Sequence, residues 1–552
     1  MTETMPTGAE ILVETLIAHG VEQGFCVPGE SYLAVLDALY DARDRFRLVT
    51  CRHEAGAANM AEAWGKFTGA PAACFVTRGP GATHAAIGVH TAFQDSTPMI
   101  LFVGQVASDQ RDREAFQEVD YRQMFAPLAK WVAEVDRADR VGEYVARAVA
   151  TATAGRPGPV VLALPEDMLT QAAARPAQRP HAPIQARPAA ADLDAVVARL
   201  NQARRPLAIL GGFGWTAEAV AAYAGFAERH SLPTAVAFRF QDLIDNDHPA
   251  YAGDLGLGAN PDLVERLARA DLVLAIGPRL GEVTTGGYTR LVPPVAEQAL
   301  IHVHAGAEEL GRVYQADLRV HANPGAFAAA LAACSLDRQW PDEARAAVRA
   351  RDAWRQPVAA PGAVNPAEIW AAMAERAGPD AIVTNGAGNF AAWVHRFHRY
   401  RRFRSQLAPT SGAMGYGVPA AVAAKLAAPQ RPVICAAGDG DFLMSASELA
   451  TAAQYRAGVV FLVFDNAMYG TIRMHQEKHY PGRVSATGID NPDFVMLARA
   501  HGAHAERVDS TAAFAPAFDT ALAVAEREQR PALLHILLDP RCIGPTFTLK
   551  KL

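Results

Sequence analysis

The sequence predicts an α/β protein of three doubly wound parallel-sheet domains, and three observations carry that prediction. Apolar runs of strand length alternate with alanine-rich stretches at helical spacing along most of the chain, the pattern of parallel sheets joined by helical crossovers. Two segments interrupt it: Gln171 to Ala190, where Pro176, Pro180, Pro183 and Pro188 break any regular element, and Leu336 to Pro366, charged and then proline-rich. At 552 residues the chain is also too long for one core. The expected domains are 1–172, 190–335 and 360–552.

Composition bounds the partners. Half of the residues are apolar (50%) and 20% are charged, the balance of a globular protein rather than a disordered one. A net charge of -6 supplies no basic surface, so neither nucleic acid nor an anionic membrane is an expected partner. No apolar run approaches the roughly 20 residues that cross a bilayer. The six cysteines (Cys26, Cys51, Cys74, Cys334, Cys435, Cys542) are scattered, mostly in or beside apolar runs, and read as buried free thiols of a reducing compartment. Met1-Thr2-Glu3-Thr4 lacks the basic start and apolar stretch of a signal peptide, and the expected location is cytoplasmic.

In the first domain, Gly8 to His19 is amphipathic at helical spacing, and Gly24 to Glu30 reads as a short strand ending in a turn. Arg47 to Cys51 makes another strand, which runs directly into Arg52-His53-Glu54. From Ala55 the chain turns helical, with Ala57, Met60, Ala61 and Trp64 on one side. Glu54 therefore sits where a strand ends and a helix begins. A glutamate there complements the helix dipole in any protein, so position alone admits a purely structural role.

The second domain has strands at Pro206-Leu210, Asp271-Ile276 and Ala299-His304. Glycine-bearing turns follow two of them, Gly211-Gly212-Phe213-Gly214 and Gly277-Pro278-Arg279-Leu280-Gly281. Plain strand-to-helix turns use glycine too, so these turns are weak evidence for a bound nucleotide.

The third domain holds the densest pattern. A strand at Ala381-Val383 leads to Thr384-Asn385-Gly386-Ala387-Gly388-Asn389, and Thr410 to Gly417 precedes a helical stretch. Pro432 to Ala437 is a strand-length apolar run that ends in Gly438-Asp439-Gly440. Ser445-Ala446-Ser447-Glu448 has capping-box spacing and is expected to open a helix over Leu449 to Arg456. A second strand, Val459 to Phe464, closes at Asp465-Asn466. This unit is a parallel crossover, with Asp439 and Asn466 at the carboxyl ends of its strands, where such sheets bind ligands. A carboxylate, an amide carbonyl, a backbone carbonyl and phosphate oxygens make the hard oxygen shell that Mg2+ takes. Gly438 and Gly440 let the backbone approach a phosphate at a helix N-terminus. With neither thiol nor imidazole in the motif, zinc is not expected.

The spacing from Asp439 to Asn466 resembles the metal-diphosphate motif of thiamine-diphosphate-dependent enzymes. His53-Glu54-Ala55-Gly56-Ala57, Thr77-Arg78-Gly79-Pro80-Gly81-Ala82-Thr83, Phe102-Val103-Gly104-Gln105-Val106 and Ala115-Phe116-Gln117-Glu118 resemble the pyrimidine-binding domain of the acetolactate-synthase group. The match runs in order from Val27-Pro28-Gly29 to Tyr469-Gly470. It implies that Glu54 hydrogen-bonds the aminopyrimidine ring of the cofactor and activates it. Gln117 is then the residue near the reacting carbon, with Gly29, Gly79 and Phe116 lining the substrate pocket. Gly386, Ala387 and Asn389 help bind the diphosphate, as do Gly438, Asp439, Gly440 and Asp441. Gly412 touches the pyrimidine through its backbone, and Met414 is the apolar wedge that bends the cofactor. The Met468 carbonyl joins Asp439 and Asn466 as a metal ligand, and Tyr469 and Gly470 continue the motif. Some relatives of this kind hold FAD across the central domain and others leave it empty, so the resemblance leaves FAD open. Because the glutamate and the diphosphate site come from different subunits in this family, a homo-oligomer with active sites between subunits is implied.

Departures concern the substrate. His475 stands where acetolactate synthases carry a tryptophan that selects the second keto acid, and Arg78 replaces a serine. Ser96 occupies the region of the catalytic histidine of benzoylformate decarboxylase, and Gln94 to Thr97 lacks the paired histidines of pyruvate decarboxylases. Arg473 to His479 reads either as a solvated loop or as part of a lid. The leading expectation is a carboligase that decarboxylates a 2-keto acid such as pyruvate and adds the fragment to a second carbonyl, a keto acid or an aldehyde. A non-ligating 2-keto acid or acyl-CoA decarboxylase is the alternative, and a non-catalytic cofactor-binding relative stands behind both.

Overall fold

The computed structural model describes residues 5–174 and 176–551. Its frame is three six-stranded sheets in which every pairing is parallel. The first contains β1 (Gln23–Cys26), β2 (Arg47–Thr50), β3 (Ala72–Val76), β4 (Met99–Gln105), β5 (Trp131–Glu134) and β6 (Pro159–Pro165). The second contains β7 (Pro206–Leu210), β8 (Thr234–Ala237), β9 (Tyr251–Leu255), β10 (Leu272–Ile276), β11 (Ala299–His304) and β12 (Leu318–His321). The third contains β13 (Ile382–Asn385), β14 (Gln406–Leu407), β15 (Val433–Gly438), β16 (Val460–Asp465), β17 (His504–Val508) and β18 (Ala532–Leu537). Central strands such as β4, β7, β10, β15 and β16 are buried along their whole length. Helices cover both faces, which is why these strands read as unbroken apolar runs rather than alternating ones.

Strand order separates the sheets into two kinds. The first runs β2-β1-β3-β4-β6-β5 and the third β14-β13-β15-β16-β18-β17, so in both the order by chain position is second, first, third, fourth, sixth, fifth. The central sheet runs β12-β11-β10-β7-β8-β9, the order of dinucleotide-binding folds. Duplication of one ancestral unit thus fits the outer two domains and not the central one.

The outer domains also share a core. One apolar cluster includes Phe25, Met60, Ala61 and Leu101 of the first domain and Ala420, Ala424, Cys435 and Phe461 of the third without a break. The helices at this seam, Glu54–Thr68, Pro80–Asp95 and Gly417–Ala427, face each other through alanine and glycine, which lets their backbones come close. A Cβ on Gly88 would lie 2.4 Å from that of Ala58. The opposite face of the first sheet is built from bulkier groups, where Phe75 stacks on Phe102 at 5.0 Å beneath Ile11, Leu12 and Leu16.

Two expectations need correcting or extending. Leu336 to Pro366 is not a plain linker, because Pro341–Trp354 forms a helix with Pro341 in its first turn, where proline is favoured. Its charges lie largely outside, while Arg351 is buried and donates to the carbonyls of His248 and Tyr251 at 3.0 and 3.2 Å. Among its described residues the Gln171 to Ala190 segment has no long element before the helix that opens at Ala190, but it is strapped down. The Ala186 carbonyl accepts the Asn323 N–H at 2.9 Å, and His181 meets Thr153 at 3.1 Å. All six cysteines are free thiols, as expected, with Cys334 the one not fully buried. Among the described residues, no helix is long and apolar enough to cross a membrane.

Phe75→Ala should cost about 3–5 kcal/mol, the transfer loss plus the cavity left among Phe46, Phe102 and Tyr32. A urea midpoint equal to wild type would show that this face of the sheet does not limit stability.

Candidate active site

Register in the third sheet sets the geometry. Gly438 of β15 pairs with Phe464 of β16, so the two strands end side by side and release Asp439 and Asn466 on neighbouring ledges. Between the ledges lies a cavity of about 250 Å3. All the cofactor-binding positions named above line it except Gly386, which packs behind it. A Cβ on Gly386 would fall 2.1 Å from Oδ1 of Asp441, and one on Gly440 would fall 2.6 Å from the Tyr469 ring. Glycine is required at both by close approach rather than by backbone angle.

Each acidic group here has a distinct job. Asp441 is buried, and its Oδ1 accepts the N–H of Gly415 at 2.9 Å and of Ala387 at 3.3 Å. It therefore pins the Met414-Gly415 turn, ahead of the Gly417–Ala427 helix, to the Gly386-Ala387 turn, and burial pushes its carboxyl up to about 7. Asp439 is 3% exposed, accepts the Gly440 N–H at 2.9 Å, and is pushed up by burial to about 6. The Nδ2 of Asn491 donates to Asp439 and to Asp465, both at 2.8 Å. Burial also raises Asp465, but the His535 imidazole at 2.8 Å and the Ala467 N–H at 2.9 Å more than reverse this and hold it below its ordinary range. Two neighbouring buried carboxyls are thus bridged by one amide, and the Oδ1 of Asn491 is buried without a partner. Asn466 donates its amide N–H to the Cys542 carbonyl at 3.2 Å, which leaves its Oδ1 able to accept or to ligate. The Met468 carbonyl accepts the Gly470 N–H at 2.9 Å and keeps a second lone pair. This oxygen-rich, under-neutralised corner suits a hard divalent cation.

Glu54 lies elsewhere in the same chain. It is the first residue of the Glu54–Thr68 helix, capped by His53, whose Nδ1 accepts the Ala55 N–H at 3.1 Å. Its side chain is 12% exposed and meets Nδ1 of His84 at 2.9 Å. The other residues expected around it gather on adjoining turns. A Cβ on Gly79 would lie 2.9 Å from that of Gln117, one on Gly29 would lie 2.5 Å from Thr77, and one on Gly81 would lie 3.3 Å from Glu54 itself. Gln117 has a φ of 66°, and Phe116 beside it is 76% exposed. Arg78 is tied back to the Phe116 carbonyl at 3.2 Å and to Glu166 at 2.8 Å.

Neither Glu54 nor this cluster lines the cavity at Asp439 within one chain. His475 does not line it either. The Arg473 to His479 run is the end of a helix, Gly470–His479, not a loop, and His475 is exposed there with His479 stacked on it. Thr471 and Ile472, one turn earlier, reach the cavity instead.

Sequence reasoning missed the group that joins the halves. Glu448 was expected to complete a capping box with Ser445, but the helix begins at Glu448 without a side-chain cap, and Ser445 Oγ is buried without a partner. The Glu448 carboxylate turns to the first domain, where it accepts the N–H groups of Arg52 and His53, both at 3.1 Å, and the Thr451 hydroxyl at 2.6 Å. Gly56 makes room, since a Cβ there would lie 2.3 Å from the carboxylate. Asn491, Asp465 and His535 were missed for the same reason: their partners are distant in sequence.

A second groove lies at the central sheet. The turns after β7 and β10 meet where the strand order reverses. Two adjoining cavities of about 430 and 350 Å3 flank Gly212, Phe213 and Phe240. Arg156 and Arg279 line one of them, and Glu309 pairs with both at 2.7 and 3.7 Å.

Family models agree with this layout. Residues 6–124 match the N-terminal TPP binding domain of thiamine pyrophosphate enzymes, 193–331 their central domain, and 386–536 their C-terminal TPP binding domain. The acetolactate synthase large subunit of Parasynechococcus marenigrum is 33% identical over 519 residues, 90% of this chain and 82% of that protein. The chain belongs to the thiamine pyrophosphate enzymes, in the acetolactate synthase group. Other members are alike across their lengths. The isozyme 2 large subunit of Escherichia coli is 30% identical, covering 96% of this chain and 95% of its own. A probable large subunit from Methanocaldococcus jannaschii is also 30% identical, covering 97% and 92%.

The buried acids make metal-free stability depend on pH. Asp441 keeps its proton in the folded protein from its ordinary 3.8 up to about 7, while the unfolded chain has lost it. The folded state binds more protons over that window, so this group's contribution falls as pH rises through it. Asp441→Asn keeps an oxygen for the two N–H groups and should flatten the fall in urea midpoint between pH 4 and 7. An unchanged slope would mean that Asp441 is ionised throughout. Glu448→Ala, which removes the acceptor of two partly buried N–H groups, should lower stability by about 1–2 kcal/mol.

Proposed function

We propose that this protein is a thiamine-diphosphate-dependent carboligase that decarboxylates a 2-keto acid such as pyruvate and adds the resulting fragment to a second carbonyl. The observation that carries the reading is the under-neutralised oxygen corner at Asp439, Asn466 and Met468, set beside the Met414 wedge at paired strand ends. Those three residues would hold Mg2+ and, through it, the diphosphate. Gly438 and Gly440 admit the phosphates, and Asp441 keeps the Ala387 and Gly415 backbones in place around them. Bound there, the cofactor supplies the electron sink for losing carbon dioxide. Glu54 would hydrogen-bond the pyrimidine ring through its carboxyl and serve there as the acid-base group. Gln117, Gly29, Gly79 and Phe116 orient the substrate, while His475, outside the cavity within one chain, would meet an acceptor only from its exposed helix face.

The working unit is a homo-oligomer in which Glu54 of one subunit serves the cavity of another. Large apolar groups stand exposed beside each half-site, Leu443, Met444 and Ile472 near the cavity and Leu33 and Phe116 near the Glu54 cluster. The central groove has the switch-point position and the size for a dinucleotide, and we assign FAD to it. A simple decarboxylase is the second reading, favoured by His475 in place of a tryptophan.

The decisive assay is incubation with pyruvate, thiamine diphosphate and Mg2+. Acetolactate supports the carboligase, aldehyde with carbon dioxide supports the decarboxylase, and binding without turnover of any keto acid overturns both. Purified protein should be yellow, and a colourless holoenzyme removes the flavin. Glu54→Gln should bind cofactor normally and lose turnover by orders of magnitude, while Asp439→Ala should lose Mg2+-dependent cofactor binding. Mixed and refolded together, these two inactive variants should regain roughly a quarter of wild-type activity through hybrid dimers with one intact site. No recovery would put both halves in one subunit.

A further inference from the structure

The only hydrogen bond of the Glu54 side chain among the described residues is the 2.9 Å contact from Oε2 to Nδ1 of His84. Its geometry is built by one helix face. Gly81 and His84 stand at i and i+3 in the first turns of the Pro80–Asp95 helix, so both look at the same carboxyl group. At Gly81 there is no side chain, and a Cβ there would already lie 3.3 Å from Oε1. One oxygen is therefore held by an imidazole and the other is kept clear by a glycine.

The surroundings leave His84 without competition. His53 packs against its ring at 4.5 Å, and His53's own Nδ1 is an acceptor for the Ala55 N–H, which assigns the His53 proton to Nε2. Tyr32 and Cys74 face Glu54 from the sheet side, and burial raises both so that they stay neutral. The Arg52 guanidinium turns away to Gln454 at 2.5 Å, and Glu448 is occupied by the backbone ahead of the helix. His84 itself is 49% exposed, so its other ring nitrogen is open to solvent.

We propose that His84 is a positioning residue for Glu54: its Nδ1–H donates to Oε2, fixes the carboxyl rotamer, and reserves Oε1 for the ring that Glu54 serves. The proposal rests on the reading of Glu54 as the activating glutamate. His84 acts through that carboxyl and touches no reacting atom.

The test combines histidine-selective 15N NMR with kinetics of the holoenzyme. In wild type the neutral His84 ring should carry its proton on Nδ1, and Glu54→Ala should move it to Nε2. His84→Ala should lower kcat about ten-fold or more, with KM and cofactor affinity within about three-fold. His84→Asn, whose amide N–H can reach the same oxygen, should recover most of that loss. Circular dichroism of each variant separates misfolding from mispositioning. An Nε2–H tautomer in wild type, or a wild-type kcat in His84→Ala, overturns the proposal. Full activity in Glu54→Gln would instead sink the assignment of Glu54, whatever His84 does.

Discussion

A single buried carboxylate ties the two halves of this chain's chemistry together. Glu448 opens a helix of the third domain, yet it spends its oxygens on the backbone N–H groups of Arg52 and His53 in the first. Those two residues are the turn that delivers Glu54. Loss of the carboxylate would leave both partly buried N–H groups without this acceptor, at a cost that is appreciable beside a domain's small net stability.

The seam explains why small residues dominate here. Alanine and glycine on the Glu54–Thr68, Pro80–Asp95 and Gly417–Ala427 helices bring backbones together and leave no room for reorientation. Glu54 thus enters its site on a fixed helix end rather than on a loop. Across the third domain, Asp441 plays the matching part by pinning two loops, so the cavity's walls are set before any cofactor arrives.

Much of this was legible in the sequence, and the boundary of legibility is physical. The Gly438-Asp439-Gly440 turn, Asn466, the strands β7, β10 and β11 of the central domain and the Glu54 helix start are all fixed by neighbours within a few residues. Period, glycine placement and spacing reveal such features. Glu448, Asn491, Asp465 and His535 have partners across domains or across a sheet, and no local pattern announces them. The capping-box spacing at Ser445 is misleading because two backbone N–H groups from another domain take the Glu448 carboxylate in place of the local cap. The charged stretch after Leu336 misled because its buried face is narrow, carried by Ala344, Ala347 and Arg351.

The outer sheets share one wiring, and their ligand-facing segments hang from the same rungs of it. Rung two ends at the Glu54 turn in the first domain and runs on to Gly412 and Met414 in the third. Rung three ends at Gly79-Pro80-Gly81 in one and at Gly438-Asp439-Gly440 in the other. The shared order thus offers the same pair of ledges twice, and on the function proposed above one would carry the activating glutamate and the other the diphosphate site. Any residue on one ledge has a positional twin on the other, so side-chain swaps between twins offer a way to retrace how a symmetric scaffold became asymmetric.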